Sequence, residues 1–83
     1  MPESEGNLSI FPNPSAGYVN VRTTNGEMLL QINVYSLTGQ VLYQEKLGRA
    51  VNERLIDLKL SKGVYLLEVV TETSRINKQL ILQ

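Results

Sequence analysis

The stretch VYLLEVVT, residues 64–71, decides the fold class of this chain. Apolar residues stand in both alternating phases, and Glu68 is the one charged residue in the run. Side chains of a β-strand point alternately to the two faces of its sheet. Because both phases are apolar, the pattern predicts a central strand that is covered on both sides.

The same two-residue period runs through most of the remaining chain. Residues 28–36, MLLQINVYS, alternate apolar and amide side chains over most of their length. Turn residues separate the apolar runs, among them Asn25-Gly26, Gly39 and Gly63. The predicted strands cover residues 8–11, 18–23, 28–36, 40–47, 51–58, 63–71 and 75–82. Seven short strands at this spacing predict an all-β fold, a seven-stranded antiparallel immunoglobulin-like β-sandwich.

Length and charge set limits on domain number and partners. The chain has 83 residues, the size of one domain, which we expect over residues 8–83. Residues 1–7 have the polar composition of a linker. Eight basic and eight acidic residues give no net charge, which favours neither nucleic acid nor an anionic membrane as partner.

The side chains that most enzymes use are missing from the sequence. The chain has no Cys and no His, which removes thiolate nucleophiles, imidazole bases and the usual zinc ligands. Asp57 is the only aspartate, and the glutamates are scattered rather than paired. We therefore expect no enzymatic activity, no metal site and no cofactor.

Tyrosine is the one residue type that leaves a binding function open. Tyr18, Tyr35, Tyr43 and Tyr65 could form a platform on which sugar rings stack. Tyrosine is also a favoured strand residue, with its ring in the core and its hydroxyl at the rim. A carbohydrate-binding accessory module of a secreted enzyme and an immunoglobulin-like structural spacer thus stay open as alternatives.

Four motifs in order resemble one known family. They are IFPNPSAGYVNV (10–21), INVYSLTGQVLYQ (32–44), IDLKLSKGVYLLEV (56–69) and NKQLILQ (77–83). Together they resemble the type A C-terminal sorting domains of the type IX secretion system, also called Por secretion system sorting domains. Ser36 stands where family members commonly have Asp, and a Ser can make the same kind of turn bond more weakly.

The resemblance implies a function that the residue patterns alone do not supply. Such a domain directs a covalently attached N-terminal cargo protein across the outer membrane of a Gram-negative bacterium. The implied partners are the type IX translocon, a shuttle protein and a sortase-like peptidase that removes the domain on surface attachment. The implied route passes through the periplasm and ends in secretion or at the cell surface.

Two surfaces are candidates for recognition by such partners. One is the last strand and tail, residues 75–83, where an edge strand offers backbone groups to a partner strand or to a weak homodimer. The other combines the Pro-Asn-Pro loop with the glycine turns. The candidate recognition residues are Pro12, Asn13, Pro14, Gly39, Gly63, Tyr65, Lys78, Leu80, Ile81, Leu82 and Gln83. The candidate cleavage region is Glu3, Ser4, Glu5, Gly6 and Asn7.

Overall fold

Eight β-strands make up the regular structure of the chain in a computed structural model that describes residues 3–5, 8–11, 17–24, 26–49 and 51–83. The strands are β1 (Glu3–Glu5), β2 (Leu8–Phe11), β3 (Tyr18–Thr23), β4 (Leu29–Tyr35), β5 (Val41–Lys46), β6 (Glu53–Asp57), β7 (Gly63–Thr71) and β8 (Arg75–Leu82). Among these residues no helix is long and apolar enough to cross a membrane.

The strands form two antiparallel four-stranded sheets. Sheet A has the order β1-β2-β3-β6, and sheet B has the order β5-β4-β7-β8. The predicted immunoglobulin-like sandwich is thereby confirmed, and each of the seven predicted strands is present with bounds that differ by at most two residues. The central position of β7 between β4 and β8 agrees with the apolar run from which the prediction started.

The short strand β1 adds to what the sequence predicted. Glu3–Glu5 pairs antiparallel with β2, with Glu3 opposite Ile10 and Glu5 opposite Leu8. The run carries no apolar alternation. Its pairing with β2 needs none, because a short edge strand is held by backbone hydrogen bonds. The assignment of residues 1–7 as a linker stays a prediction.

The core lies between the facing sides of the two sheets. Its fully buried side chains come from β2, β3 and β6 on one side and from β4, β7 and β8 on the other. In β7 the inward phase holds Leu67 and Val69, whereas Val64 and Leu66 of the opposite phase are each 37% exposed. The expectation that β7 is covered on both sides is therefore wrong. A sheet in a two-layer sandwich has only one neighbouring sheet, so the outer phase of its central strand faces solvent.

Candidate recognition surface

The predicted turn and tail residues meet at one end of sheet B. Tyr35, the last residue of β4, lies opposite Leu66 of β7 and opposite Val41 of β5. Gly63, the first residue of β7, lies opposite Leu82 of β8. The Gly39 turn, the Gly63 corner and the C-terminal end of β8 therefore share this end of the sheet.

Gly39 has a conformational role in the turn between β4 and β5. Its φ is +95°, and nothing lies within 4 Å of the position that a Cβ would occupy. Its amide donates to the Ser36 carbonyl at 3.0 Å, and the Ser36 Oγ accepts from the Gln40 amide at 3.1 Å. Ser36 thus makes the local turn bond that was expected at this position.

Gly63 and Tyr65 form a corner before the central strand. Gly63 has a φ of +156°, and the Tyr65 ring lies 3.7–3.9 Å from the position of a Cβ at Gly63. The Tyr65 hydroxyl donates to the Ser61 carbonyl, and its ring packs against the core. The Gly-x-Tyr element therefore fixes the entry of the chain into β7, and this role accounts for both residues.

Replacing either turn glycine by alanine is expected to lower the free energy of unfolding by about 1–2 kcal/mol. The reason is the positive φ rather than a clash, since Gly39 faces open space and Gly63 has only ordinary contacts. Urea unfolding of Gly39→Ala and Gly63→Ala measures the loss. Gly48→Ala is the matched control, because that glycine has no positive φ and no atom within 4 Å of its Cβ position. Equal stability in all three variants would contradict the conformational role.

The predicted residues of β8 divide between the two faces of the sheet. Leu80 and Leu82 are 0% and 4% exposed and belong to the core, so they do not reach a partner of the folded domain. Lys78 shares their phase and is half-buried. Ile81 points to the outer face at 36% exposure, and Gln83 is exposed. Pro12, Asn13, Pro14, Gly6 and Asn7 lie outside the described residues.

An exposed apolar patch lies on the outer face of sheet B at the same end. It consists of the exposed Val41, Leu66, Val64 and Ile81 and the half-buried Tyr35, and we call it the sheet-B patch. Cross-strand pairing places Val41 beside Tyr35, Tyr35 beside Leu66, and Val64 beside Ile81. The prediction from sequence missed this patch except for Ile81, although the second apolar phase of residues 64–71 was the signal for it.

A polar network lies next to the patch on the same face. The Glu68 Oε1 accepts from the Asn33 amide at 2.8 Å and from the Tyr35 hydroxyl at 2.9 Å. The Glu68 Oε2 lies 3.5 Å from the Arg75 Nε. The hydrogen bond from Asn33 is the main cause of the lowered pKa of the Glu68 carboxyl. The hydrogen bond from Tyr35 and the positive charge of Arg75 lower this pKa further. The bond to Glu68 in turn raises the pKa of the Tyr35 hydroxyl.

A second carboxylate connects the edges of the two sheets. Glu45 of β5 lies 2.8 Å from the Arg54 guanidinium of β6, and it also accepts from the Tyr43 hydroxyl at 2.9 Å. The hydrogen bond from Arg54 is the main cause of the lowered pKa of the Glu45 carboxyl. The cleft beside this pair is also lined by Lys46, Arg49 and Glu53.

The domain is expected to lose stability in acid. The pKa values of Glu45 and Glu68 are lowered in the folded chain from an ordinary value of 4.5, so the folded state binds these protons less tightly than the unfolded state. Their contribution is complete above pH 4.5 and is lost as the pH falls through the folded-state pKa values. Chemical denaturation from pH 7 to 3 measures this, and Glu45→Gln with Glu68→Gln should flatten the fall. An unchanged slope in the double variant would contradict the assignment.

The described tyrosines do not form a single sugar-stacking platform. Tyr18 is on β3 of sheet A, whereas Tyr35 is on the outer face of sheet B. Tyr43 and Tyr65 pack against the core. Across the residues that the structure describes, no group of three or more Asp or Glu side chains could hold a metal ion.

Comparison with known proteins agrees with an immunoglobulin-like sandwich. A crystal structure of a DUF3244 family protein from Bacteroides vulgatus, described as an immunoglobulin-like β-sandwich, superposes with a TM-score of 0.76 at 10% identity. The superposition covers 100% of this chain and 92% of that one, and at this identity it shows the fold alone. No curated protein matches the sequence.

The family itself is given by a match to a family model. The model described as a secretion system C-terminal sorting domain matches residues 9–83, nearly the whole chain. The chain therefore belongs to the C-terminal sorting domains of the type IX secretion system.

Proposed function

We propose that this domain directs a cargo protein, attached at its N-terminal side, from the periplasm through the type IX translocon to the cell surface. The family membership over residues 9–83 carries the proposal, because members of this family are sorting signals for export across the outer membrane. The fold supports it, since the sandwich leaves apolar side chains exposed on the outer face of sheet B, where a partner could bind. The translocon and a shuttle protein are the proposed partners that recognise the domain.

The end of sheet B that carries Gly39, Gly63 and the C-terminal end of β8 is the proposed recognition region. The two glycines and Tyr65 shape this end, and their neighbours on the outer face supply its exposed side chains. Leu80 and Leu82 act indirectly, because they hold β8 in the core. Lys78 is half-buried and lies on the same side of β8 as Ile76, Leu80 and Leu82. We therefore propose that Lys78 helps to hold β8 in place in addition to supplying a positive charge.

Removal by a sortase-like peptidase is the second part of the proposal, with Glu3–Asn7 as the cleavage region. β1 contains only three residues of this region and lies at the edge of sheet A, so it can leave the sheet without disturbing the core. Mass spectrometry of the domain released by secreting cells tests this. A new N-terminus at residues 4–8 is expected, and one inside β3 or later would contradict it.

A fusion experiment tests the sorting function. A reporter protein with a signal peptide is joined to residues 1–83 and expressed in a host that has the type IX machinery. The reporter should appear outside the outer membrane, and the same reporter without the domain should stay in the periplasm. Retention of the fused reporter in the periplasm, with the domain folded, would contradict the function. A weak homodimer stays a prediction, which sedimentation velocity of the purified domain would test.

A further inference from the structure

The outer face of sheet B changes in character along the direction of its strands. The sheet-B patch occupies one end of this face. The amides and carboxylate of Gln44, Asn33, Glu68 and Asn77 form a band across its middle, in register on the four strands. The next cross-strand row has Lys46 and Arg75 at its two ends, on the edge strands, and Gln31 and Val70 between them. The distance from Leu66 to Val70, four residues along β7, is about 13 Å.

The charges of this face that reach solvent are positive. Glu68 is its acidic residue, and its side chain is 13% exposed, with both oxygens engaged by Asn33, Tyr35 and Arg75. The Arg75 side chain is 68% exposed although it contacts Glu68. Lys46 is also exposed. A partner that lies flat on this face therefore meets an apolar surface at one end and cationic groups at the other.

The outer face of sheet A differs from that of sheet B in the arrangement of its apolar side chains and in the sign of its charges. Its exposed apolar side chains, Tyr18 and Leu55, belong to different rows that also hold Asp57 and Asn20. The Arg22 guanidinium lies over the Phe11 ring, 5.4 Å from its centroid, and Asn20 donates to Glu53. Among the described residues of this face, charges of both signs are thus mixed with apolar groups.

We propose that the outer face of sheet B docks a protein of the export machinery whose surface is apolar opposite the sheet-B patch and acidic opposite Lys46 and Arg75. The inference rests on the proposed function and adds the surface and the chemistry of its partner. Contiguous exposed apolar side chains rimmed by polar groups are typical of protein contact sites. The cations Lys46 and Arg75, one on each edge strand, complement acidic groups of the partner and fix the direction in which it lies on the strands.

The test compares matched surface variants in the reporter fusion. Leu66→Ser and Val41→Ser remove exposed apolar contacts of the patch, and Leu55→Ser is the control on sheet A, where Leu55 is 56% exposed. Lys46→Glu reverses the charge at the far end, and Lys59→Glu is its control. Arg75 is left unchanged, because a carboxylate there would repel Glu68. Urea midpoints of the purified domains establish which variants keep their stability.

The patch variants and Lys46→Glu are each expected to reduce the exported fraction by about tenfold, the effect of losing roughly 1.4 kcal/mol of docking energy. Leu55→Ser and Lys59→Glu should export as the unchanged fusion does. Undiminished export of Leu66→Ser, Val41→Ser and Lys46→Glu would overturn the docking face, and so would an equal loss in the two controls. Failure of the unchanged fusion to leave the periplasm is a separate result, which overturns the proposed function itself.

Discussion

Leu67→Ala is expected to remove most of the domain's free energy of unfolding, the largest loss among the substitutions considered. Leu67 is 1% exposed on the inward side of β7, the central strand that pairs with both β4 and β8. Truncating a buried leucine removes apolar contacts and leaves a cavity, at a cost of about 2–5 kcal/mol. A domain of this size has a total stability near the low end of about 5–15 kcal/mol, so the loss consumes most of it.

The neighbouring residue provides a matched control. Leu66 belongs to the same strand but faces outward at 37% exposure, so Leu66→Ala should cost less than about 1 kcal/mol. Urea unfolding followed by circular dichroism measures both variants. Equal losses at the two positions would show that the phase of β7 has been assigned wrongly.

Glu27→Ala is expected to have the second largest effect, a loss of about 1.5–3 kcal/mol of unfolding free energy. The Glu27 Oε1 accepts from the Thr71 hydroxyl at 2.8 Å, the Thr73 hydroxyl at 2.6 Å and the Thr73 amide at 3.2 Å. One carboxylate thus joins the start of β4 to the turn between β7 and β8. Removing it takes this acceptor from Thr71 and Thr73, although the Thr71 hydroxyl keeps a longer bond of 3.4 Å to the Ser74 carbonyl.

Glu27→Gln separates hydrogen bonding from charge. The amide oxygen of Gln can still accept at this position, so this variant should keep about half of the stability that Glu27→Ala loses. Amide hydrogen exchange at Thr73 and Ser74 reports the loosening of the turn directly. Slow exchange at these amides in Glu27→Ala, equal to that in the unchanged chain, would contradict the account.

The strands could be predicted from sequence because their period is local. Asn20 and Arg22 alternate with Val19 and Val21, and the structure buries the two valines fully between the sheets. Gly39 was predicted as a turn for the same local reason, since a positive φ favours glycine. Family membership also followed from the order of local motifs, and the family model matches residues 9–83.

The outer surface could not be predicted in the same way, because it depends on which strands become neighbours. The bonds from Asn33 and Tyr35 to Glu68 join residues more than thirty positions apart, and only the pairing of β4 with β7 brings them together. The exposure of Leu66 depends on how the described strands assemble into two sheets, with one face of sheet B toward solvent. The strand at Glu3–Glu5 was missed because backbone pairing at an edge needs no apolar pattern.

Export of the reporter fusion in two isogenic hosts tests the central claim most directly. One host has an intact type IX translocon, and the other lacks its outer-membrane channel. We predict that surface and medium fractions contain the reporter in the first host, whereas the second accumulates it in the periplasm with the domain folded and uncleaved. Equal appearance of the reporter outside the outer membrane in both hosts would contradict the assignment of this domain as a type IX sorting signal.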